Sequence, residues 1–288
     1  MQDYLSVSPI KSKELCSLTM VRRVAAMLDL ETQSFAEGDI LPKGWHFFML
    51  AGETRKSELR KDGFPGLGVP IPDLGLPRLL LGGRTVAYHG EIVIGSVIEK
   101  SSFIKSITEK TTKNGQMAIV TLQHELRSVE ADTPAIVETQ TYILKELGMR
   151  NSENKIRNYE SGVRNDTPNQ FLIPNSPIPH SHTSNSITPD ETLLFHYSAL
   201  GFNSHKIHLD RNYTQQIEGL PDLVVNGGLA TLLMTEFLRK EKGIDLKAII
   251  VKHIAPLYCN RPLRLDYENG EGKIYDDNDE VAVQYEIN

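Results

Sequence analysis

Residues 221–240, PDLVVNGGLATLLMTEFLRK, decide the fold. The apolar run Leu223–Val225 stops at Asn226-Gly227-Gly228, and a helical pattern then begins, with Leu229, Leu232, Leu233 and Phe237 at spacings of three and four. A helix apolar on most of its circumference needs burial on several sides. Upstream, Gly83–Lys145 alternates polar and β-branched residues in RTVAYHGEIVIG, SVIEKSSFIKSITEK, QMAIVTLQHELRSV and AIVETQTYIL, with Asn114-Gly115 as a hairpin turn. That is an antiparallel meander, and a strongly curved sheet wrapped around the helix would supply the burial.

Working outward, Ser12–Leu30 has the spacing of an amphipathic helix, and the Gly- and Pro-rich stretch Gly38–Pro77 reads as a long ordered loop with a short helical piece at Trp45–Leu50. Residues 148–190 are too polar and Pro-rich for a core and read as a linker. Beyond them LLFHYSAL (193–200) reads as a strand and LDRNYTQQI (209–217) as a short helix. KAIIVKHIAPLY (247–258), RPLRLDYE (261–268) and EVAVQYEI (280–287) read as closing strands. Both halves thus place helical material before a meander, and EIVIGSVIE (91–99) aligns with PLYCNRPLR (256–264) as strand, turn, strand. The expected architecture is α+β, a double hot-dog: an N-terminal hot-dog over 1–147, a linker over 148–190 and a C-terminal hot-dog over 191–288.

The 288 residues, 40% hydrophobic and 24% charged, suffice for real cores. With 31 Lys+Arg against 37 Asp+Glu, the net charge of −6 provides no cationic field for nucleic acid. Cys16 and Cys259 form no motif, which fits a reducing compartment. No apolar run approaches a membrane span, and Met1–Ile10 has no leader pattern, so a cytoplasmic location is expected, or the mitochondrial matrix for a chain already trimmed of a transit peptide.

The densest polar cluster is SALGFNSHKIHLD (198–210), where Asn203, His205 and His208 can converge at a turn. His205-x-x-His208 lacks a third ligand, so no metal is expected. The Asn226-Gly227-Gly228 opening offers backbone amides at the positive end of the helix dipole, where an oxyanion can be held and glycine allows close approach. Arg78 and Arg84 flank LLLGG and are candidates for a phosphate or a carboxylate. Trp45 and His46 are candidates to line a pocket, with core packing as the competing reading. His89, His124, His196 and His253 read as strand residues needing no functional explanation, and His180 and His182 as linker residues.

LPKGWHFF (41–48), DGFPGLG (62–68), LPRLLLGGR (76–84), HYSALGFNSHKIHLD (196–210) and EGLPDLVVNGGLATLL (218–233) occur in one order. In that order they resemble the two-domain MaoC-like (hydratase 2) family, in particular its mesaconyl-C4-CoA and itaconyl-CoA hydratase branch and the related fungal mitochondrial 3-hydroxyacyl-thioester dehydratases. Laid on the family motif D-x-N-P-L-H, Asn203 stands at the Asp, His205 at the Asn and His208 at the His. Asn226-Gly227 stands where the family has HG. The resemblance implies reversible hydration of a 2,3-enoyl thioester. His208 would be the proton carrier, Asn203 would orient water or thioester, and Gly227 and Gly228 would supply the oxyanion amide. His205, Asn226, Arg78, Arg84, Trp45 and His46 would contact substrate. The first half, without an N-x-H-x-x-H, is expected to be non-catalytic and to shape the acyl pocket and coenzyme A channel. The implied partner is a small acyl-CoA, with no cofactor beyond the coenzyme A of the substrate and with pairing into a homodimer left open. Two other readings stand: a fatty-acid (R)-3-hydroxyacyl-thioester dehydratase, and an acyl-CoA binder without turnover, motivated by the missing Asp.

Overall fold

The computed structural model describes residues 8–112, 115–146 and 185–288. Strand β1 (Ile10–Leu15) leads into helix α1 (Leu18–Met27), whose N-cap Ser17 accepts from the Met20 amide. The helix expected over Ser12–Leu30 is therefore shorter, because Ser17 caps it and IKSKEL before it alternates as an edge strand. The Gly/Pro stretch carries 3-10 turns, one of them Trp45–Leu50. Strands β2 (Arg78–Tyr88), β3 (Val97–Thr112), β4 (Gly115–Ser128) and β5 (Ile136–Lys145) complete the first half. The linker and the residue Asn114 of the hairpin turn lie outside the described residues, as do His180 and His182.

In the second half, β6 (Ser186–Ile187) precedes α2 (Glu191–Leu200). The strand expected at LLFHYSAL is thus a helix. Asp190 accepts from the Leu193 amide and caps it, and Leu194, Tyr197 and Ser198 form its buried face at helical spacing. Then follow α3 (Arg211–Gln216), α4 (Gly227–Glu241), β7 (Ala248–His253), β8 (Leu263–Glu268), β9 (Glu271–Tyr275) and β10 (Val281–Ile287). Helix α4 is buried from Leu229 through Leu238.

All ten strands form one antiparallel sheet in the order β1-β3-β4-β5-β2-β7-β10-β9-β8-β6. The two meanders join edge to edge where β2 pairs with β7, from Gly83↔Lys252 to Ala87↔Ala248. The repeat is preserved in detail. Isolated bridges Ile40↔Val93 and Val224↔Tyr258 fall at matching positions of the two aligned stretches. Each half also has a capped ten-residue helix, α1 or α2, and these pack together. The halves differ at the central helix. Where the second half runs α4, the first turns only the six residues Trp45–Leu50 after Gly44, and Trp45 donates its indole N–H to Glu236 of α4 at 2.8 Å. The curved sheet therefore closes around one long helix, as in a double hot-dog fold.

Candidate active site

His208 ends a 3-10 turn (Lys206–His208) and is buried. Its Nδ1 lies 2.7 Å from the Val224 carbonyl oxygen. A carbonyl only accepts, so Nδ1 carries the proton and Nε2 keeps a lone pair. Burial, reinforced by neighbouring His205 and partly offset by the Val224 bond, pushes the ring pKa down to about 3. His208 is thus a neutral base of fixed tautomer at neutral pH.

Asn203 accepts from the His205 amide at 3.0 Å, so its side chain shapes the loop. The His205 ring stands edge-on to His208, centroids 5.5 Å apart, and against Phe64 at 5.4 Å. The three residues taken from the motif do come together. The loop carrying them is docked on the first half: Lys206 donates its amide to the Asp62 carbonyl, Ser204 its hydroxyl to the Gly63 carbonyl, and Lys206 its ammonium to the Lys61 carbonyl.

Two residues after Val224, Asn226 precedes the first turn of α4. It donates to Ser198 Oγ at 3.3 Å, and its buried Oδ1 has no partner among the described residues. Gly227 and Gly228 are needed for space. A Cβ on Gly227 would lie 2.8 Å from Leu81 Cδ2 and 3.1 Å from His253 Nε2; one on Gly228 would lie 2.1 Å from the Tyr197 hydroxyl and 3.3 Å from Arg84 Nη2. The helix opening is therefore ringed by Tyr197, Arg84 and His253. Burial, reinforced by the Arg84 charge, lowers the His253 ring to about 4, so this imidazole is neutral too.

Behind the opening lies a buried polar cluster. Arg84 Nε is 3.3 Å from Glu138 Oε1, and Glu138 also meets His46 Nε2 at 2.8 Å and accepts from Gln140 at 2.6 Å. Burial alone would raise the Glu138 pKa, but Arg84 and the His46 bond reverse this and hold it near 2. Burial works to lower the Arg84 pKa and the Glu138 carboxylate more than offsets it.

The structure divides the remaining sequence candidates. A bulge between Leu81 and Gly83 shifts the β2 register, so Arg84 shares its sheet face with Gln140 while Arg78, opposite Lys145, lies on the other face. Arg78 therefore does not join the site. Trp45 is fully buried and bonded to Glu236, a packing residue and not a pocket wall. His46 reaches the site through Glu138. His253 and His124 are on strands, but His89 follows β2 in a turn and His196 is exposed on α2. His253 adjoins Gly227, a contact that strand alternation could not reveal. The sequence reading also missed Tyr197, Glu138 and Asp62. Glu138 alone left a signal, a charge on the parity of Ile136 and Leu144.

Comparison with known proteins gives the family of the chain. Residues 44–259 match the model for hydroxyacyl-thioester dehydratase type 2. The chain belongs to that family, within the MaoC-like proteins. It is similar to the mesaconyl-C(4)-CoA hydratase of Chloroflexus aurantiacus, 31% identical over 255 residues, covering 86% of this chain and 82% of that one. It also resembles the mitochondrial hydroxyacyl-thioester dehydratase type 2 of Schizosaccharomyces pombe, 23% identical over 285 residues, covering 92% and 88%. In fold it matches a MaoC-like dehydratase from Phytophthora capsici, with a TM-score of 0.64, 14% identity and coverage of 99% and 97%. As a member of the family the chain is a hydratase/dehydratase.

Proposed function

We propose that the protein hydrates the double bond of a 2,3-enoyl-CoA, with mesaconyl-C4-CoA or itaconyl-CoA as substrate and citramalyl-CoA as product. The observation carrying the reaction is the Nδ1–Val224 bond of His208, which leaves Nε2 as a base and ties the ring to the segment leading into the α4 opening. On mesaconyl-C4-CoA, whose double bond is conjugated with the thioester, His208 takes a proton from water as the hydroxyl adds to C3 and returns that proton to C2, so one residue closes the proton cycle; on itaconyl-CoA the returned proton goes to the methylene carbon. The intervening enolate oxygen accepts from the amides at Gly227 and Gly228, aided by the helix dipole. A dicarboxylic substrate is supported by the buried guanidinium of Arg84 beside Gly228 and by the relative from Chloroflexus aurantiacus.

One observation favours a second reading, a dehydratase of longer (R)-3-hydroxyacyl thioesters. A cavity of about 520 Å³ lies under the Gly/Pro strap, lined by Phe64, Leu67, Val69, Ile71 and Leu144, and Phe64 adjoins His205. Such an apolar space suits an acyl chain.

The test follows loss of enoyl-thioester absorbance with mesaconyl-C4-CoA, itaconyl-CoA, crotonyl-CoA and a medium-chain enoyl-CoA. The proposal expects a dicarboxylic preference, a drop in kcat of at least 100-fold in His208→Ala, and loss of the preference in Arg84→Lys, which keeps the charge but not the planar fork. Faster turnover of the medium-chain substrate would establish the second reading. No turnover of any of them would leave a binder of acyl-CoA.

A further inference from the structure

The family motif carries an Asp where this chain has Asn203, and the Asn203 side chain is occupied by the His205 amide. A buried His208 that takes up a proton becomes an imidazolium in a poorly solvated place, a state that a nearby carboxylate stabilises. The loop itself provides none close by. Asp210 caps α3 by accepting from the Tyr213 amide.

A carboxylate does arrive from the other half. Asp62, in DGFPGLG, places Oδ2 3.7 Å from His205 Nε2, and both side chains are largely shielded, 15% and 12% exposed. Its Oδ1 accepts from the Phe64 amide at 3.0 Å, which fixes the carboxylate, and its Oδ2 takes the Arg60 Nε–H at 3.2 Å. Gly63 has φ of +77°, and a Cβ there would sit 2.4 Å from the Ser204 carbonyl oxygen, so the two loops meet backbone to backbone. His205 is the link, with one ring edge toward Asp62 and its ring perpendicular to His208.

We propose that Asp62, carried by the first half, is the carboxylate of the active site in the second half, a positioning residue that orients His205 and offsets the charge arising on His208 during proton transfer. The first half, expected to be non-catalytic, then contributes to the chemistry through one side chain. At 3.7 Å the carboxylate lies beyond a hydrogen bond to the neutral ring and close enough to stabilise a positive charge that arises on the two edge-on imidazoles. The charged and titratable groups around His205 are Asp62 and Glu218, which favour its protonation, and Arg60 and His208, which oppose it. Burial outweighs them and leaves His205 neutral at rest.

This inference rests on the hydratase reading, so the experiment has two readouts. The first is kinetics with the enoyl-CoA panel on wild type, Asp62→Asn, Asn203→Asp and the double variant. Asp62→Asn keeps the acceptor for the Phe64 amide and removes the charge. We expect kcat to fall 10- to 100-fold with KM within threefold, and Asn203→Asp in the same chain to restore at least tenfold. The second is histidine ¹⁵N NMR, which needs no turnover. In wild type the His205 proton resides on Nε2; in Asp62→Asn that preference is lost and the ring titrates at least half a pH unit lower. Asp62→Ser, which retains a turn-forming oxygen, serves if the Asn variant is unstable. An active wild type with unchanged kcat in Asp62→Asn, or a His205 tautomer and titration indifferent to the substitution, overturns the proposal. A silent wild type whose His205 responds as described overturns the hydratase reading and leaves the pairing standing.

Discussion

Gly228 shows how tightly the site is built at the level of single residues. Its hydrogen faces the Tyr197 hydroxyl, and no rotamer of alanine avoids a contact of 2.1 Å. Either Tyr197, stacked on Phe47 at 4.5 Å, or the first turn of α4 must move. Gly228→Ala is expected to cut kcat by 10² or more while thermal stability falls by about 1–3 kcal/mol. Initial rates with calorimetry check it, and unchanged kcat would remove the α4 opening from the mechanism. The residue scale is also where reading the sequence succeeded and failed most sharply. Asn203, His205 and His208 could be found because a motif puts them within six positions. Tyr197 and His253 could not, because a helix and a strand at the seam bring them in, and Glu138, on a strand of the other half, left only the mark of a charge on a buried parity. Arg78 and Arg84 look equivalent in LPRLLLGGR, and a one-residue bulge gives them opposite faces.

Among the elements, α4 was legible because its apolar residues fill nearly the whole circumference, and β3 to β5 because they alternate over long runs. Strand β9 (EGKIY) escaped because five residues with Gly, Glu and Lys carry little pattern. Helix α2 was misread as a strand because its apolar residues are contiguous and its cap, Asp190, lies in the supposed linker. The strap around residues 60–64 is the element with most bearing on activity. Gly63→Ala would add a Cβ against the Ser204 carbonyl at positive φ. The expected outcome is a kcat loss exceeding tenfold with a decrease in Tm of only a few degrees, because the strap lies on the surface and its release leaves the sheet intact. Equal losses in a helix-dichroism melt and in activity would mean that the strap supports the whole fold instead.

Across the whole molecule, three shielded imidazoles, His124 and His208 buried and His253 half-buried, are expected to set the acid limit of stability. His208 is held near 3 and His124 and His253 near 4, each chiefly by burial. Unfolded, they titrate near 6.5, so below that pH the unfolded chain binds protons that the folded one refuses. Stability is therefore fully present above about pH 6.5 and declines as the pH falls toward 4. By pH 5 the loss is about 2 kcal/mol per histidine. Urea denaturation at pH 7 and pH 5 should show the midpoint falling at constant slope, and a smaller fall in His124→Gln, whose ring meets Ser102 at 2.8 Å. Equal midpoints at the two pH values would mean that these rings are protonated in the native state.

The β2–β7 junction also matters for the newborn chain. Strand β2 finds one neighbour, β5, within its own half, whereas its other neighbour ends at His253. At ~5–20 residues per second, the ribosome needs on the order of ten to thirty seconds to make the roughly 160 residues between Tyr88 and His253. Throughout that interval the flank of β2 is an open strand edge on a tethered, half-made protein, available to any other nascent chain. The charge of Arg84 lies within that edge, so a residue that serves the finished site also discourages mispairing during synthesis.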